Sequence, residues 1–363
     1  YTTKAVITLL SLSLLSACQS TEETATQNKT LPTLKSSSVK FSPRAENQYL
    51  TQEQAFKRSE RVSNVNYQLN FNLTGAESFS ASSTITFDLS DNKTPLTIDL
   101  NEAQMTKLII NNTVAPEPAL KKSYNGWFIT LPAQQLKQGT NTVTINYTRK
   151  HSTNGEGLHR FKDPVDGKVY LYSHFEPAAA QQMFALFDQP DLKATFELTV
   201  SAPKDWTVFS ATKESKTTPQ GDFTLWHFPK SLTLSPYNFS MHAGPYKAWQ
   251  DNSGKYPLRL FARQSVANQI TPEHWFTYTK QGFEFFDDYF GIPYPFKKYD
   301  QVLVPDFLYG AMENSAAVTF SESRFLTNGE MSQNQRQRLA SVIMHEMAHQ
   351  WFGNLATMKW WNG

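Results

Sequence analysis

Two textures of hydrophobic patterning divide the chain. From about Val62 to Gly244, apolar and polar residues alternate over short runs. Val65-Asn66-Tyr67-Gln68-Leu69-Asn70-Phe71, Thr84-Ile85-Thr86-Phe87-Asp88-Leu89, Thr142-Val143-Thr144-Ile145-Asn146-Tyr147 and Thr195-Phe196-Glu197-Leu198-Thr199-Val200 all show it. A period of two is that of a half-buried strand. Turn-rich pieces such as Asp91-Asn92-Lys93, Asn125-Gly126 and Gln138-Gly139-Thr140-Asn141 separate the runs. Many short strands with frequent turns predict an antiparallel sandwich. There is no fixed-period repeat.

After Tyr246 the period lengthens. Pro272 to Phe290 reads as a helix, with Trp275, Tyr278, Phe283, Phe286 and Tyr289 near a 3.6-residue spacing. Asp300 to Pro305 reads as a strand around Val302-Leu303-Val304. Ser332 to about Phe352 reads as a second helix. Ser332 can cap it, Leu339, Ile343 and Met347 form an inward stripe, and Gly353-Asn354 is a natural stop. The expected organisation is a β-sandwich domain over residues 46–246, then the opening of a mixed α+β domain over 247–363.

Composition narrows the class. Among 363 residues, 34 Lys+Arg stand against 32 Asp+Glu, a net charge of +2. That balance gives no reason to expect nucleic acid as a partner. At 39% hydrophobic and 13% aromatic the chain can bury a sizeable core. The single cysteine, Cys18, excludes an intrachain disulfide and a cysteine-based metal site. No run reaches the ~20 apolar residues that span a bilayer.

Lys4 precedes an almost uninterrupted apolar stretch from Ala5 to Leu15, the layout of an export signal. It ends in Leu15-Ser16-Ala17-Cys18, which resembles a bacterial lipobox, whose Cys thiol takes a diacylglycerol and becomes the new N-terminus. Residues 1–18 are therefore expected to be a lipoprotein signal peptide and 19–45 a flexible linker, rich in Ser, Thr, Lys and Gln. The expected location is a bacterial cell envelope, lipid-anchored on its periplasmic or outer-membrane face. Residue 1 is Tyr, so a start upstream of it, or a misassigned one, is also expected.

The candidate chemistry lies in His345-Glu346-Met347-Ala348-His349, an H-E-x-x-H run. On a helix, positions i and i+4 share a face, so both imidazoles can point at one cation. Glu346 projects about 100° away and sits beside the metal. Catalytic zinc takes three protein ligands and leaves one position open, where a water loses its proton near neutral pH. Glu346 is placed to take that proton and hand it to a leaving amine. Spacing alone does not supply the third ligand. The other six histidines (His151, His159, His174, His227, His242 and His274) lack such spacing and read as surface or core residues.

His345 to Asn362 closely resembles the zinc helix of the aminopeptidase N family of gluzincin metallopeptidases. Gly310-Ala311-Met312-Glu313-Asn314 matches that family's GAMEN exopeptidase motif residue for residue. His174-Phe175-Glu176-Pro177 and the run Phe187 to Ala194 resemble two further family segments. The resemblance implies a saddle-like β-sandwich followed by a thermolysin-like catalytic domain. It implies one Zn2+ per subunit on His345 and His349, with Glu346 as general base. Glu313, helped by Glu176, would bind the free α-ammonium of a peptide substrate, a charge-assisted pair that internal peptide bonds cannot make. Gly310 and Ala311 would bring backbone groups against the scissile peptide, and Met312 would shape the pocket for the first side chain.

Two departures matter. His174 stands where the family usually has Gln, which bears on side-chain preference, and a histidine there can titrate near neutral pH. The family's third zinc ligand, a Glu, falls at position 368 and its catalytic Tyr lies further on, so this chain alone is expected to be inactive. Two other functions remain open. A zinc endopeptidase would share the helix but need neither Glu313 nor Glu176. A lipid-anchored sandwich that only binds peptides would need no intact site.

Overall fold

The alternating runs fold into strands that bury one half of their residues. β1 (Val62–Asn72) buries Val65, Tyr67, Leu69 and Phe71 and exposes Gln68, Asn70 and Asn72. The structure is a computed structural model and describes residue 44 and residues 49–362. Cys18 and the expected signal peptide lie outside the described residues. Arg44, placed by sequence in the flexible linker, is buried and paired with Asp99.

The first region begins with the short helix α1 (Gln52–Ser59). Its first strands are β1, β2 (Ser78–Leu89), β3 (Leu96–Asp99), β4 (Gln104–Ile110) and β5 (Thr113–Val114). A second helix, α2 (Glu117–Ser123), precedes β6 (Phe128–Leu131), β7 (Gly139–Lys150), β8 (Gly157–Lys162) and β9 (Val169–His174). Then come β10 (Ala194–Pro203), β11 (Thr207–Ser210), β12 (Lys216–Gln220), β13 (Phe223–Phe228) and β14 (Met241–Gly244). They assemble as an eight-stranded sheet β12-β13-β10-β1-β2-β7-β4-β5, a four-stranded sheet β11-β14-β9-β8 and the pair β3-β6.

Most neighbours are antiparallel, but β1 and β10 pair in parallel, from Val65 opposite Ala194 to Asn72 opposite Ser201. A parallel neighbour needs a long crossover, and here the chain between the two strands supplies it. Alternation within a strand says which face is buried; it does not say which strand lies alongside. Aromatic rings fill the interior: Phe196 stacks on Phe239 at 4.5 Å and on Tyr67 at 5.1 Å between ring centroids.

The second region is a five-stranded sheet, β15-β16-β17-β19-β18. Its strands are β15 (Lys247–Asp251), β16 (Leu258–Ala262), β17 (Tyr299–Val304), β18 (Ala311–Met312) and β19 (Ala317–Ser321). Its helices are α3 (Pro272–Phe290), α4 (Glu322–Phe325) and α5 (Gln333–Ala348). The mostly β sandwich followed by an α+β region agrees with the expected fold class.

α3 has the expected span and buries Trp275, Phe283 and Phe286, but Tyr289 is 70% exposed. Tyr289 lies in the last turn of α3 and stacks on Phe285 instead. α5 opens with a full capping box, Ser332 with Gln335, and buries Leu339, Ile343 and Met347 completely. It ends at Ala348, earlier than expected. The chain then turns so that the Trp351 indole N–H donates to the Ile292 carbonyl at 2.8 Å.

α3 and α5 pack at Gly282. A Cβ there would stand 2.8 Å from side-chain atoms of both Met344 and Met347, so a larger residue would have to displace the tips of these methionines. Ion pairs tie the two regions together. Arg263 bonds both Asp163, between β8 and β9, and Glu322 of α4. Arg259 bonds Glu214 and Asp300, while Lys298 reaches Asp300 and the Ser210 carbonyl.

Candidate active site

α5 sets His345 and His349 on one face, their Nε2 atoms 3.1 Å apart. Two nitrogens each ~2.05 Å from a tetrahedral zinc would stand about 3.3 Å apart, so the pair is spaced to share one ion. The other nitrogen of His349, Nδ1, lies 2.9 Å from the Phe352 carbonyl oxygen. A carbonyl only accepts, so Nδ1 carries the proton and Nε2 keeps a lone pair, the tautomer a metal ligand needs.

Carboxylates surround this pair. Oxygens of Glu313 and Glu346 and a ring nitrogen of His349 all lie within 4.8 Å of one another. Glu346 is 5% exposed. Burial first, then the charges of Glu313 and Glu176, push its carboxyl up to about 8. Glu176, two residues past β9, is raised by burial and then by the charge of Glu313, with His349 partly offsetting them. Acids this close resist ionising together unless a cation is present. Imidazole nitrogens with carboxylate oxygens form a donor set that suits zinc.

Glu313 is held from three sides. Its carbonyl accepts from the side chains of Gln350 at 3.2 Å and Asn354 at 2.9 Å, both just past α5. Its Oε1 accepts from the Tyr237 hydroxyl at 3.2 Å. Tyr237 belongs to the sandwich, in a short turn whose Asn238 side chain donates to the Gly353 carbonyl at 3.2 Å. Gly353 has φ +126°, and a Cβ there would crowd Tyr237, His349 and Glu313 at 3.3–3.5 Å. The positive φ is what favours glycine at this position. Gly310 and Ala311 lie at β18, the edge strand of its sheet, and Met312 is buried.

His174 departs from expectation. It is 1% exposed, its ring packed 5.2 Å from both Phe307 and Tyr309, and neither nitrogen has a hydrogen-bond partner. Burial lowers it to about 4, so it is neutral at pH 7 and does not titrate near there. Tyr237, Gln350, Asn354 and Gly353 were not singled out as site residues by sequence. Gln350 and Asn354 sit close behind the H-E-x-x-H run, which was a usable signal; nothing near Tyr237 in the sequence marks it.

The fold and this donor set define a chain of the metallopeptidase class. Residues 63–237 match the Peptidase M1 N-terminal domain and residues 275–363 the Peptidase family M1 domain. The chain belongs to peptidase family M1, the family of aminopeptidase N. It is 36% identical over 320 residues to Aminopeptidase N of Streptomyces lividans, covering 86% of this chain and 36% of that protein. It is 34% identical over 203 residues to Probable aminopeptidase 2 of Sulfurisphaera tokodaii, covering 56% and 26%. It is 36% identical over 212 residues to Glutamyl aminopeptidase of Rattus norvegicus, covering 57% and 22%. The chain thus spans between 22% and 36% of the length of these curated relatives.

Proposed function

We propose that the protein is a zinc aminopeptidase that removes the N-terminal residue from peptides. His345 and His349 hold the metal, which when bound supplies Lewis-acid chemistry to the reacting carbonyl and water. Glu346 takes the proton of the attacking water and passes it to the leaving amine. Glu313, with Glu176, pairs with the free α-ammonium and so places the first peptide bond at the metal. The edge of β18 offers backbone groups of Gly310 and Ala311 to the substrate strand, and buried Met312 bounds the first side chain.

The observation that carries this reading is the second carboxylate: Glu313 stands within 4.8 Å of Glu346 and His349. An endopeptidase has no use for an unneutralised acid at that point, whereas an exopeptidase needs one. The third metal ligand is proposed at position 368, and on that basis the 363-residue chain alone is inactive. Cys18 is proposed to carry lipid and hold the protein at a bacterial envelope membrane, the partner being peptides with a free N-terminus.

The test compares this chain with a version extended through its native coding sequence, measuring bound zinc and turnover of alanine anilide. The extended protein should be active, and lose activity to a chelator; an acetylated substrate should survive it. Comparable turnover by the short chain, or equal cleavage of capped and free substrates, would refute the reading.

A further inference from the structure

β18 and β19 are antiparallel neighbours joined by Glu313-Asn314-Ser315-Ala316. The backbone closes only the inner part of this connection, where the Ala317 N–H donates to the Asn314 carbonyl at 3.0 Å. The Glu313 carbonyl and the Ala316 N–H both turn to one side chain, that of Gln350, which is fully buried just past α5. Its Nε2 donates to the Glu313 carbonyl at 3.2 Å, and its Oε1 accepts from the Ala316 N–H at 3.3 Å. A primary amide offers donor and acceptor side by side, so Gln350 ties the two ends of the connection together. Ala316 has φ +57°, a left-handed conformation uncommon outside glycine. Its carbonyl is held as well, by Lys298 Nζ at 2.7 Å and the Asp300 N–H at 3.0 Å.

The second hydrogen on Nε2 goes to the Glu346 carbonyl at 3.3 Å. That carbonyl lies in the last turn of α5, where helix carbonyls lose their ordinary partners. The Gln350 backbone N–H, four residues on, donates to the Met347 carbonyl at 3.0 Å instead. The Gln350 side chain therefore supplies the donor. One amide thus bonds the residue that carries the acidic clamp, the strained end of its loop and the residue that carries the buried acid. Tyr237 and Asn354 also hold Glu313, from the sandwich and from beyond α5; Gln350 is the side chain that bonds both Glu313 and Glu346.

We propose that Gln350 is a positioning residue that sets the spacing between Glu313 and Glu346, and so fixes how far from a substrate's amine the hydrolysed carbonyl lies. This rests on the aminopeptidase reading and adds a length rule to it. An α-amino acid places one carbon between its amine and its carbonyl, and a β-amino acid places two. A rigid spacing accepts the first and rejects the second.

The test uses the extended protein with alanine anilide and β-alanine anilide. Gln350→Met fills the same space and removes all three bonds; Gln350→Glu keeps only the acceptor for Ala316 and carries the test if the first variant does not fold. In either variant the ratio of kcat/KM for the α- over the β-substrate should fall about tenfold or more, because misplacement of this kind is costly to a bound reactant. Bound zinc should not change, since both histidines remain. Crystals of the variant should have the Glu313 backbone displaced relative to α5. An equal fall for both substrates, an unchanged ratio in a folded and zinc-loaded variant, or an unmoved Glu313 overturns the proposal. Failure of the unmodified protein to prefer free over acetylated amines would instead overturn the aminopeptidase reading beneath it.

Discussion

The hydroxyl of Tyr237 donates to Oε1 of Glu313 at 3.2 Å, across the junction between the β-sandwich and the region that carries α5. One domain thus aims the carboxylate that the other presents. Tyr237→Phe removes that donor and keeps the ring, which packs edge-on against Trp361. A hydrogen bond to a charged group is worth about 1.5–3 kcal/mol. KM for a free-amine substrate should therefore rise roughly ten- to hundredfold in the extended protein, with kcat little changed. Steady-state kinetics on alanine anilide would read this; a fall in kcat alone would show that Tyr237 serves the chemistry rather than the clamp.

The metal pair and the buried acid should separate in their effects. His349→Ala removes a proposed ligand whose second nitrogen is already anchored on Phe352, so bound zinc should be lost on dialysis. Glu346→Gln leaves the histidine pair in place, so zinc content should stay near that of the unmodified protein. Its turnover should fall about 10²–10⁴-fold, as expected for loss of a general base. Metal analysis and kinetics on the same samples distinguish the two roles.

Three histidines tie stability to pH, His174 and His242 buried and His151 half-buried. Burial is the leading cause in each case, lowering His151 and His174 to about 4 and His242 to about 3, from an ordinary 6.5. Between those values the unfolded chain binds protons that the folded protein refuses. The unfolded state binds more, so stability rises with pH: it is complete above about 6.5 and is lost as pH falls toward 4. Urea midpoints should drop between about pH 7 and pH 4.5, and His174→Phe should flatten the drop. An unchanged slope in that variant would mean that His174 takes up its proton without unfolding.

Arg263 joins the two regions through Asp163, which is fully buried, and Glu322, which is 4% exposed. Arg263→Met would leave both carboxylates desolvated and unpaired, a loss of about 3–5 kcal/mol. Chemical denaturation should show it. The triple variant that also replaces Asp163 by Asn and Glu322 by Gln should recover part of the loss, because no buried charge is then left alone.

Much of this protein was legible along the chain because the governing interactions are short in range. The period-two runs specify which residues of each strand are buried. The capping box at Ser332 starts α5, and the i, i+4 spacing of His345 and His349 turns two imidazoles to one side of a helix. Each depends on geometry within one turn or one strand. The tertiary structure alone decided that β10 lies parallel to β1, that Tyr289 leaves the packed face, and that His174 is sealed among rings and stays neutral. It also decided that Glu313, 33 residues before Glu346 in sequence, meets it within 4.8 Å under a tyrosine from another domain. The bridge that Gln350 makes from Glu313 to Ala316 belongs with these. Such contacts join residues far apart in sequence, and their existence depends on how whole sheets and helices pack, which no local periodicity records.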